Sequence, residues 1–329
     1  MDTHTVANLM LHRLLESDEP SIRYKALTGI LGCPPGSAEA KAAREDIRSS
    51  SRVERLLSER GPDGRIPLGP YSKWMGAHWV LAALADIGYP PGDAGLIPLR
   101  EQVLEWLLGE RHARSIKTIA GRVRRCASQE GNALYAMLSL GLADERAEEL
   151  ARRLRMWQWP DGGWNCDKKR EAVHSSFWES LIPLRALGLH ARLTGNEGSR
   201  AAARCAAEVF LKRGLFRRQQ DGQVMREEFL QLHYPAYWRY DILAALRVMV
   251  EAGVIHDPRC GEALDLLEAK RLPDGGFAAE GKFYVTAASA KTSRSTVGWG
   301  DTKAGRMNEF ITVEALSVLQ AAGRLAVAA

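Results

Sequence analysis

The sequence predicts an all-α protein built from repeated pairs of helices, and three observations support this prediction. A nine-residue apolar pattern occurs six times among the 329 residues. Amphipathic segments with apolar residues every three or four positions lie between its copies. Several of those segments end at turn sequences, and no strand-rich region competes with the helical pattern. Repeats of this length are typical of helical arrays.

Each copy of the pattern has an apolar residue, then Leu, Met or Ile three residues later, then a small or apolar residue, and usually a glycine. The anchor leucines, from Leu27 to Leu316, are 47 to 73 residues apart, close to the length of two antiparallel helices with their connections. The copies are Ala26–Gly32, Val80–Gly88, Ala133–Gly141, Ser180–Gly188, Ile242–Val250 and Ala315–Gly323. The sequence therefore predicts six helices of one kind.

A second kind of helix is predicted between these copies, and turns connect the two kinds. Asp and Pro favour the start of a turn and Gly accepts a positive φ, so these residues mark where a helix stops and the chain reverses. The turns are Pro62–Gly64, Pro160–Trp164, Asp221–Gly222 and Pro273–Phe277. The helical candidates are Val103–Leu108, Ala147–Trp157, Ala201–Lys212 and Glu262–Ala269. Six helix pairs can form an open superhelix or a closed (α/α)6 toroid.

The composition predicts a soluble protein in a reducing compartment. Hydrophobic residues make up 46% and charged residues 26% of the chain, and no apolar stretch approaches the ~20 residues needed to cross a bilayer. We expect a cytoplasmic location, because the sequence does not start with a basic and apolar leader. The five cysteines form no CxxC pair, so no disulfide framework is expected. A net charge of +5 does not indicate nucleic acid as a partner.

Two motifs carry a resemblance to a known superfamily. Gln158–Trp164 reads QWPDGGW and resembles the QW-type repeat of terpenoid cyclases such as squalene–hopene cyclase, and Pro273–Phe277 is a weaker second copy. Ser176–Leu184 reads SFWESLIPL and is similar to an inner helix of protein prenyltransferase β subunits. The resemblance implies a single closed (α/α)6 toroid domain over residues 1–329, with an apolar or isoprenoid small molecule bound in a central cavity.

The sequence departs from that superfamily at its catalytic motifs. It contains no DxDD tetrad, the motif with which the cyclases protonate an alkene or epoxide. Alignment on Ser-Phe-Trp places Ala172, His174 and Thr312 where the prenyltransferases hold zinc with Asp, Cys and His. We therefore expect no metal and no cofactor. A different metal site, formed from Cys126, Cys166, Asp167 and His174, is the alternative. Cys166 and His174 flank one loop and are its main zinc ligands, because thiolate and imidazole suit zinc.

Candidate site residues come from the helix face opposite the apolar stripe, which points to the centre of a toroid. Three acids on this face, Glu179, Asp241 and Glu314, are predicted catalytic residues. Carboxylates in an apolar cavity can act as general acid and base or stabilise a cationic intermediate, although acids early in a helix also stabilise its dipole without any other function. The predicted substrate-binding residues are His78, Trp79, Asn132, Trp164, Cys166, Asp167, His174, Trp178, His233, Trp238, Tyr240 and Arg125.

Three functions stay open at this point. The leading one is a terpenoid-cyclase-like or prenyltransferase-like protein that binds an apolar or isoprenoid molecule and that uses the cavity carboxylates if it is an enzyme. The second is a carbohydrate-active (α/α)6 enzyme, since glycosidases need two carboxylates ~5–10 Å apart. The third is a non-catalytic scaffold. An apolar central cavity would favour the isoprenoid-binding protein, and an open polar cleft with tryptophans would favour the carbohydrate-active enzyme. A centre filled by side chains would favour the scaffold.

Overall fold

Fourteen α-helices occupy the residues that this computed structural model describes, 3–291 and 293–325. The ends of the predicted domain, residues 1–2 and 326–329, lie outside the described residues, as does residue 292. In chain order the helices are α1 (Thr3–Leu15), α2 (Pro20–Lys25), α3 (Ala38–Glu45), α4 (Ser51–Leu57), α5 (Ala77–Asp86), α6 (Ile97–Leu108), α7 (Glu110–Ser115), α8 (Ala127–Ser139), α9 (Glu145–Trp157), α10 (Phe177–Thr194), α11 (Glu197–Leu211), α12 (Ile242–Glu251), α13 (Gly261–Ala269) and α14 (Glu309–Ala321). The predicted all-α class is confirmed.

Successive helices alternate between an inner and an outer layer. The inner helices are α2 with the π-turn Ala26–Ile30 that continues it, and α5, α8, α10, α12 and α14. Each of them contains most of one copy of the repeat. The outer layer consists of α1, of α3 with α4, and of α6, α9, α11 and α13. In α9, Ala147, Leu150, Ala151 and Leu154 are buried at the i, i+3, i+4 and i+7 spacing that faces an inner layer.

The first and last inner helices touch, and this contact closes the ring. Lys25 of α2 pairs with Glu314 of α14, and Gly29 lies so close to Ser317 that a Cβ atom would not fit between them. Along the rest of the ring, α5 packs on α8, α8 on α10, α10 on α12, and α12 on α14. The fold is therefore a closed (α/α)6 toroid, as the sequence predicts, and not an open superhelix.

The Gln158–Trp164 turn ties an outer helix to two neighbours. Gln158 Nε2 donates to the Ala202 carbonyl of α11 at 2.8 Å, and the Trp164 backbone N–H donates to Ser180 Oγ of α10 at 3.0 Å. The Trp164 indole N–H donates to the Leu154 carbonyl of α9 at 2.9 Å. This motif therefore fixes the packing between helix pairs.

The second copy of the turn forms the same contacts around α14. Leu272 N–H donates to the Gly276 carbonyl at 2.8 Å. The Phe277 N–H donates to Thr312 Oγ1 at 2.9 Å, in the place that Ser180 takes in the first copy. A packing role thus accounts for Thr312.

The helix predicted from the fourth copy of the repeat does not end at its glycine. Gly188 lies inside α10, which continues to Thr194 and stops at Gly195. Gly195 has a φ of +71°, and its N–H donates to the Ala191 carbonyl. A left-handed residue of this kind terminates a helix, and glycine adopts that conformation without steric cost.

Long connections gather at one end of the ring and short ones at the other. Because the inner helices run parallel, every outer-to-inner connection lies near the N-terminal ends of the inner helices. Two of these connections carry short sheets: β1 (Lys117–Ile119) pairs antiparallel with β2 (Arg122–Arg124), and β3 (Val285–Thr286) pairs parallel with β4 (Arg294–Ser295). Long loops on a rigid scaffold are where functional residues concentrate. None of the helices within residues 3–291 and 293–325 has the length and apolar character that a membrane span requires.

Candidate metal centre

Two cysteines and one carboxylate meet at the N-terminal end of the ring. Cys126 immediately precedes α8, Cys166 lies in the loop before α10, and Glu179 is in the first turn of α10. Their two Sγ atoms and one carboxylate oxygen lie within 4.8 Å of one another, and Cys166 Sγ donates to Glu179 Oε1 at 3.5 Å. Both cysteines are partly exposed, so this cysteine–carboxylate cluster can be reached from solvent.

The cluster brings together three groups that become anionic when they lose a proton. Glu179 is 8% exposed, and burial raises the pKa of its carboxyl group. Its Oε2 accepts the Ser128 backbone N–H at 3.1 Å, but no Lys, Arg or His among the described residues pairs with it. A hydrogen bond to Cys166, and then burial, raises the pKa of the Cys126 thiol. Such a set is suited to a cation.

A second set of polar side chains, centred on Glu130, supports the loop that carries Cys126. His112 Nε2 lies 2.7 Å from Glu130 Oε1, and Arg125 Nε lies 3.4 Å from the same oxygen. Arg125 also donates to Gln129 Oε1. Glu130 is fully buried, and its charge is compensated by Arg125 directly beside Cys126. Arg125, a predicted ligand-binding residue, therefore has a full set of protein partners.

Asp241, the second predicted catalytic acid, caps α12. Its Oδ1 accepts the Ala244 N–H at 2.7 Å, and its Oδ2 accepts the His233 N–H at 2.9 Å. His233 Nδ1 is 2.6 Å from the same carboxylate oxygen, and both side chains are about 1% exposed. N-capping carboxylates of this kind stabilise the start of a helix. The structure gives Asp241 a role in holding the 233–241 loop on α12.

Glu314, the third predicted acid, belongs to a charged cluster at the centre of the ring, which we name the central network. Its members come from all inner helices except α8 and are 11–24% exposed. Arg247 lies 2.5 Å from Asp86 and 3.0 Å from Glu314, and Arg185 lies 3.2 Å from Asp86 and 2.7 Å from Glu251. The complete set is Lys25, Asp86, Arg185, Arg247, Glu251 and Glu314.

The charges of the central network keep its acids ionised. Burial alone would raise the pKa of Asp86, but the positive charges of Arg247, Lys25 and Arg185 outweigh burial and hold that pKa below its ordinary value. Burial would also raise the pKa of Glu314, but the positive charges of Arg247 and then of Lys25 outweigh burial and lower that pKa. An open pocket of about 420 Å³ leads to the network from the C-terminal end of the ring.

Sequence reasoning missed Asp86, Arg185 and Arg247. A signal was available, since each is the single charged residue in an otherwise apolar run of its inner helix, such as ILAALRVMV in α12. A lone charge on an apolar helix that is buried needs a partner on another helix. The sequence could have indicated ionic pairing inside the ring, although not which residues pair.

A small cavity of about 50 Å³ lies at the centre of the toroid. Pro235, Ala236 and Tyr237 of the 233–241 loop occupy its N-terminal side, and the Tyr237 ring stacks on Trp74 with centroids 4.1 Å apart. Asn132 Nδ2 donates to the Tyr237 carbonyl at 3.4 Å. Pockets for organic ligands are generally ~300–1,000 Å³, so this loop leaves too little room for an isoprenoid in that cavity, and the larger pocket at the C-terminal end is lined by the charged central network.

The three predicted acids have separate neighbourhoods. Glu179 contacts the cysteines, Asp241 contacts His233, and Glu314 contacts Lys25 and Arg247. Among the described residues, no hydrogen bond joins any two of these three side chains. Their catalytic roles stay predictions, and the expectation that they share one apolar cavity finds no support in these contacts.

The other predicted ligand-binding residues divide by accessibility. His78, Trp79, Trp164, His233 and Tyr240 are buried in the core; Asn132, Cys166, Trp178, Trp238 and Arg125 are partly exposed; Asp167 and His174 are exposed. His174 is not part of the cysteine–carboxylate cluster. Glu179 therefore stands beside Cys166 where the zinc alternative placed His174, because the 166–176 loop carries His174 outward while α10 starts beside Cys126.

Comparisons with known proteins give a structural likeness but no match in sequence. No protein-family model matches the sequence, and the search of curated proteins gives no match. A solved structure, that of the GH76A α-1,6-mannanase from Salegentibacter sp. HEL1_6, is 12% identical and has a TM-score of 0.45, with 98% of this chain and 99% of that chain covered. The toroid assignment rests on the contacts within this chain, and membership of the terpenoid cyclase superfamily stays a prediction.

Proposed function

We propose that this protein is a zinc-dependent enzyme whose metal is held by Cys126, Cys166 and Glu179. The observation that carries the proposal is the approach of the three ligand atoms to within 4.8 Å of one another. Ligands at ~2.0–2.3 Å from a tetrahedral zinc ion are ~3.3–3.8 Å apart, and the Cys166 Sγ to Glu179 Oε1 distance is 3.5 Å. Little movement is needed to accept the ion.

The donor set also favours zinc over other biological cations. Thiolates select zinc over magnesium and calcium, which prefer oxygen ligands. Three protein ligands leave a fourth tetrahedral position, and this is the arrangement of catalytic rather than structural zinc sites. When bound, zinc would supply a Lewis acid for water or a substrate atom at that position.

The surrounding residues position this site. The Ser128 N–H fixes one oxygen of Glu179 and leaves the other directed at the cysteines. Tyr71 lies beside Gln129, and burial raises its pKa to about 12, so it stays protonated and can donate a hydrogen bond to a ligand. The cluster lies among the long loops at the N-terminal end of the ring.

The ligand classes predicted from the sequence keep the status of predictions. An isoprenoid needs more room than the central cavity of 50 Å³ provides, and the pocket of about 420 Å³ at the C-terminal end is lined by the paired charges of the central network. A glycosidase needs a second carboxylate close to Glu179, and Asp241 is engaged in capping α12. No observation at the candidate metal centre specifically favours an isoprenoid or a carbohydrate as the substrate.

Metal analysis tests the proposal directly. We expect about one zinc ion per chain in the purified full-length protein and at least ~100-fold weaker zinc binding in Cys126→Ser and Cys166→Ser. Cys205→Ser is the matched control, since Cys205 is an exposed cysteine outside the cluster. Equal loss in the control, absence of zinc binding by the wild type, or a Cys126–Cys166 disulfide in reducing buffer would each overturn the proposal.

A further inference from the structure

Two cations near the cysteine–carboxylate cluster have no acidic partner. Lys73 and Arg239 are both partly buried, and neither makes an ion pair or a side-chain hydrogen bond within residues 3–291 and 293–325. The acid with the main electrostatic effect on Arg239 is Glu228, but Glu228 pairs with Arg226 at 3.7 Å. Partly desolvated cations without a counter-charge are unfavourable unless a ligand supplies one.

Both cations flank one indole ring. Lys73 Nζ lies 4.8 Å and Arg239 Cζ lies 5.0 Å from the centroid of Trp238. Trp238 Nε1 and Arg239 Nε are buried, and neither has a hydrogen-bond acceptor within the described part of the chain. The two cations therefore lie near the same indole ring, and neither they nor its N–H group is paired with an acceptor among the described residues. Buried donors without partners are rare in folded proteins and point to a missing acceptor.

Their electrostatics agree with this geometry. Burial, and then the charge of Arg239, lowers the pKa of Lys73. Burial likewise lowers the pKa of Arg239. The negative charge of an anion near both cations would oppose these shifts, and a guanidinium group can bind an oxyanion through two parallel hydrogen bonds.

The donors lie near the start of α10, which carries one of the proposed metal ligands. The Trp238 ring lies 6.1 Å from that of Trp178, the residue before Glu179. Arg239 also lines the central cavity. A substrate that placed one group on the metal could therefore place a charged group here.

We propose that Lys73, Trp238 and Arg239 bind an oxyanion group of the substrate next to the cysteine–carboxylate cluster. This inference deepens the proposed function by assigning the substrate class, a small molecule with a phosphate or similar oxyanion. The binding step itself needs no metal, because all the donors belong to the protein. It can therefore be measured separately from zinc.

Calorimetric titration of the full-length protein with inorganic pyrophosphate tests the inference. We expect saturable binding that weakens at least ~10-fold in Lys73→Met and in Arg239→Met, since each removes a charge-assisted contact to the anion. Trp238→Phe keeps the ring but removes the N–H donor, and should weaken binding by a smaller factor. The melting temperatures of the variants should equal that of the wild type, which would show that the loss of binding is not caused by unfolding.

Two other cations that stack on aromatic rings, but are not part of the proposed site, serve as matched controls. Lys282 Nζ lies 4.8 Å from the Tyr284 ring, and Arg226 Cζ lies 4.7 Å from the Trp178 ring. Lys282→Met and Arg226→Met should change pyrophosphate affinity less than about 2-fold, the size expected of surface charge effects. Absent pyrophosphate binding, or equal losses in these controls, would overturn the inference.

The outcome is distinguishable from that of the zinc experiment. Cys166→Ser should lose zinc and still bind pyrophosphate, whereas Lys73→Met should keep zinc and lose pyrophosphate. Pyrophosphate binding by a wild type that holds no zinc would leave the oxyanion site standing and remove the metal proposal. Zinc binding by a wild type that does not bind pyrophosphate would leave the metal proposal standing and remove the oxyanion site.

Discussion

The two ends of the toroid differ in how completely their charged groups are paired. At the centre, and facing the C-terminal end, each member of the central network touches a group of opposite charge. At the N-terminal end, Glu130 and Asp241 are paired, but Lys73 and Arg239 face no acid and Glu179 faces no base among the described residues. The loops also differ, because the C-terminal end has short turns and the N-terminal end has long connections.

This difference separates stabilising charges from charges available to a ligand. Paired charges inside the ring are mutually compensated, and removing one leaves the other buried and unpaired. Unpaired polar groups in an accessible region reduce stability but retain their capacity for a metal or an anion. We therefore expect mutations at the C-terminal end to affect folding and mutations at the N-terminal end to affect binding.

The largest expected effect on stability is that of Asp86→Ala. The substitution leaves Arg185 and Arg247 without the carboxylate that they share. Removal of one partner from a fully buried pair costs ~3–5 kcal/mol, and the partial exposure of this network reduces the expected loss of unfolding free energy to about 2–4 kcal/mol. Urea denaturation measures this loss.

Glu105→Ala provides the matched control for that measurement. Glu105 pairs with Arg65 on the surface, and its side chain is 57% exposed. Exposed pairs contribute ~0–1 kcal/mol. Equal destabilisation by the two substitutions would show that the central network is no more important than a surface pair.

The next effect concerns His78 at the N-terminal end, whose two ring nitrogens are buried without partners. Burial lowers the pKa of His78 to about 3, against ~6.5 in an unfolded chain. Between these values the unfolded chain binds a proton that the folded protein does not. The contribution of His78 to the unfolding free energy is therefore present above pH ~6.5 and is lost as the pH falls, by about 2 kcal/mol between pH 7 and pH 5.

His78→Leu should remove that part of the pH dependence. At pH 7.5 we expect little loss of stability, because leucine fills a similar volume and leaves no unsatisfied nitrogen. Denaturation curves of the wild type and the variant at pH 7.5, 6 and 5 give the comparison. Parallel losses of stability in both proteins would contradict the assignment to His78.

The sequence predicts the helices and the ring better than it predicts the site. The periodicity of Val80–Gly88 or Ala315–Gly323 follows from local burial of one helix face, and the Gln158–Trp164 turn follows from local backbone geometry. The pairing of Arg247 with Asp86 joins residues 161 positions apart. It depends on how far each inner helix is shifted, along its own axis, relative to the other inner helices. Short-range patterns carry no information about that shift.

The same limit applies to the proposed metal ligands. Cys126 and Cys166 belong to different connections, and only the parallel arrangement of α8 and α10 brings them to Glu179. His174 is closer in sequence to Cys166, and sequence proximity therefore favours it as the partner. The identity of Glu179 as a candidate could be predicted from its helix face, but its neighbours could not.

The smallest expected effect on stability is that of Glu179→Gln, measured on metal-free protein. Glutamine keeps an oxygen for the Ser128 N–H and has nearly the same volume, so the unfolding free energy should change by less than about 1 kcal/mol. Glu314→Gln makes the same chemical change in the central network and removes a charge that Lys25 and Arg247 contact. We expect it to cost at least about 2 kcal/mol and to leave zinc binding unchanged, whereas Glu179→Gln should weaken zinc binding at least ~10-fold. The pair of substitutions therefore assigns one predicted catalytic acid to ligand binding and the other to closure of the ring, and equal effects of the two on both measurements would remove the distinction between the two ends.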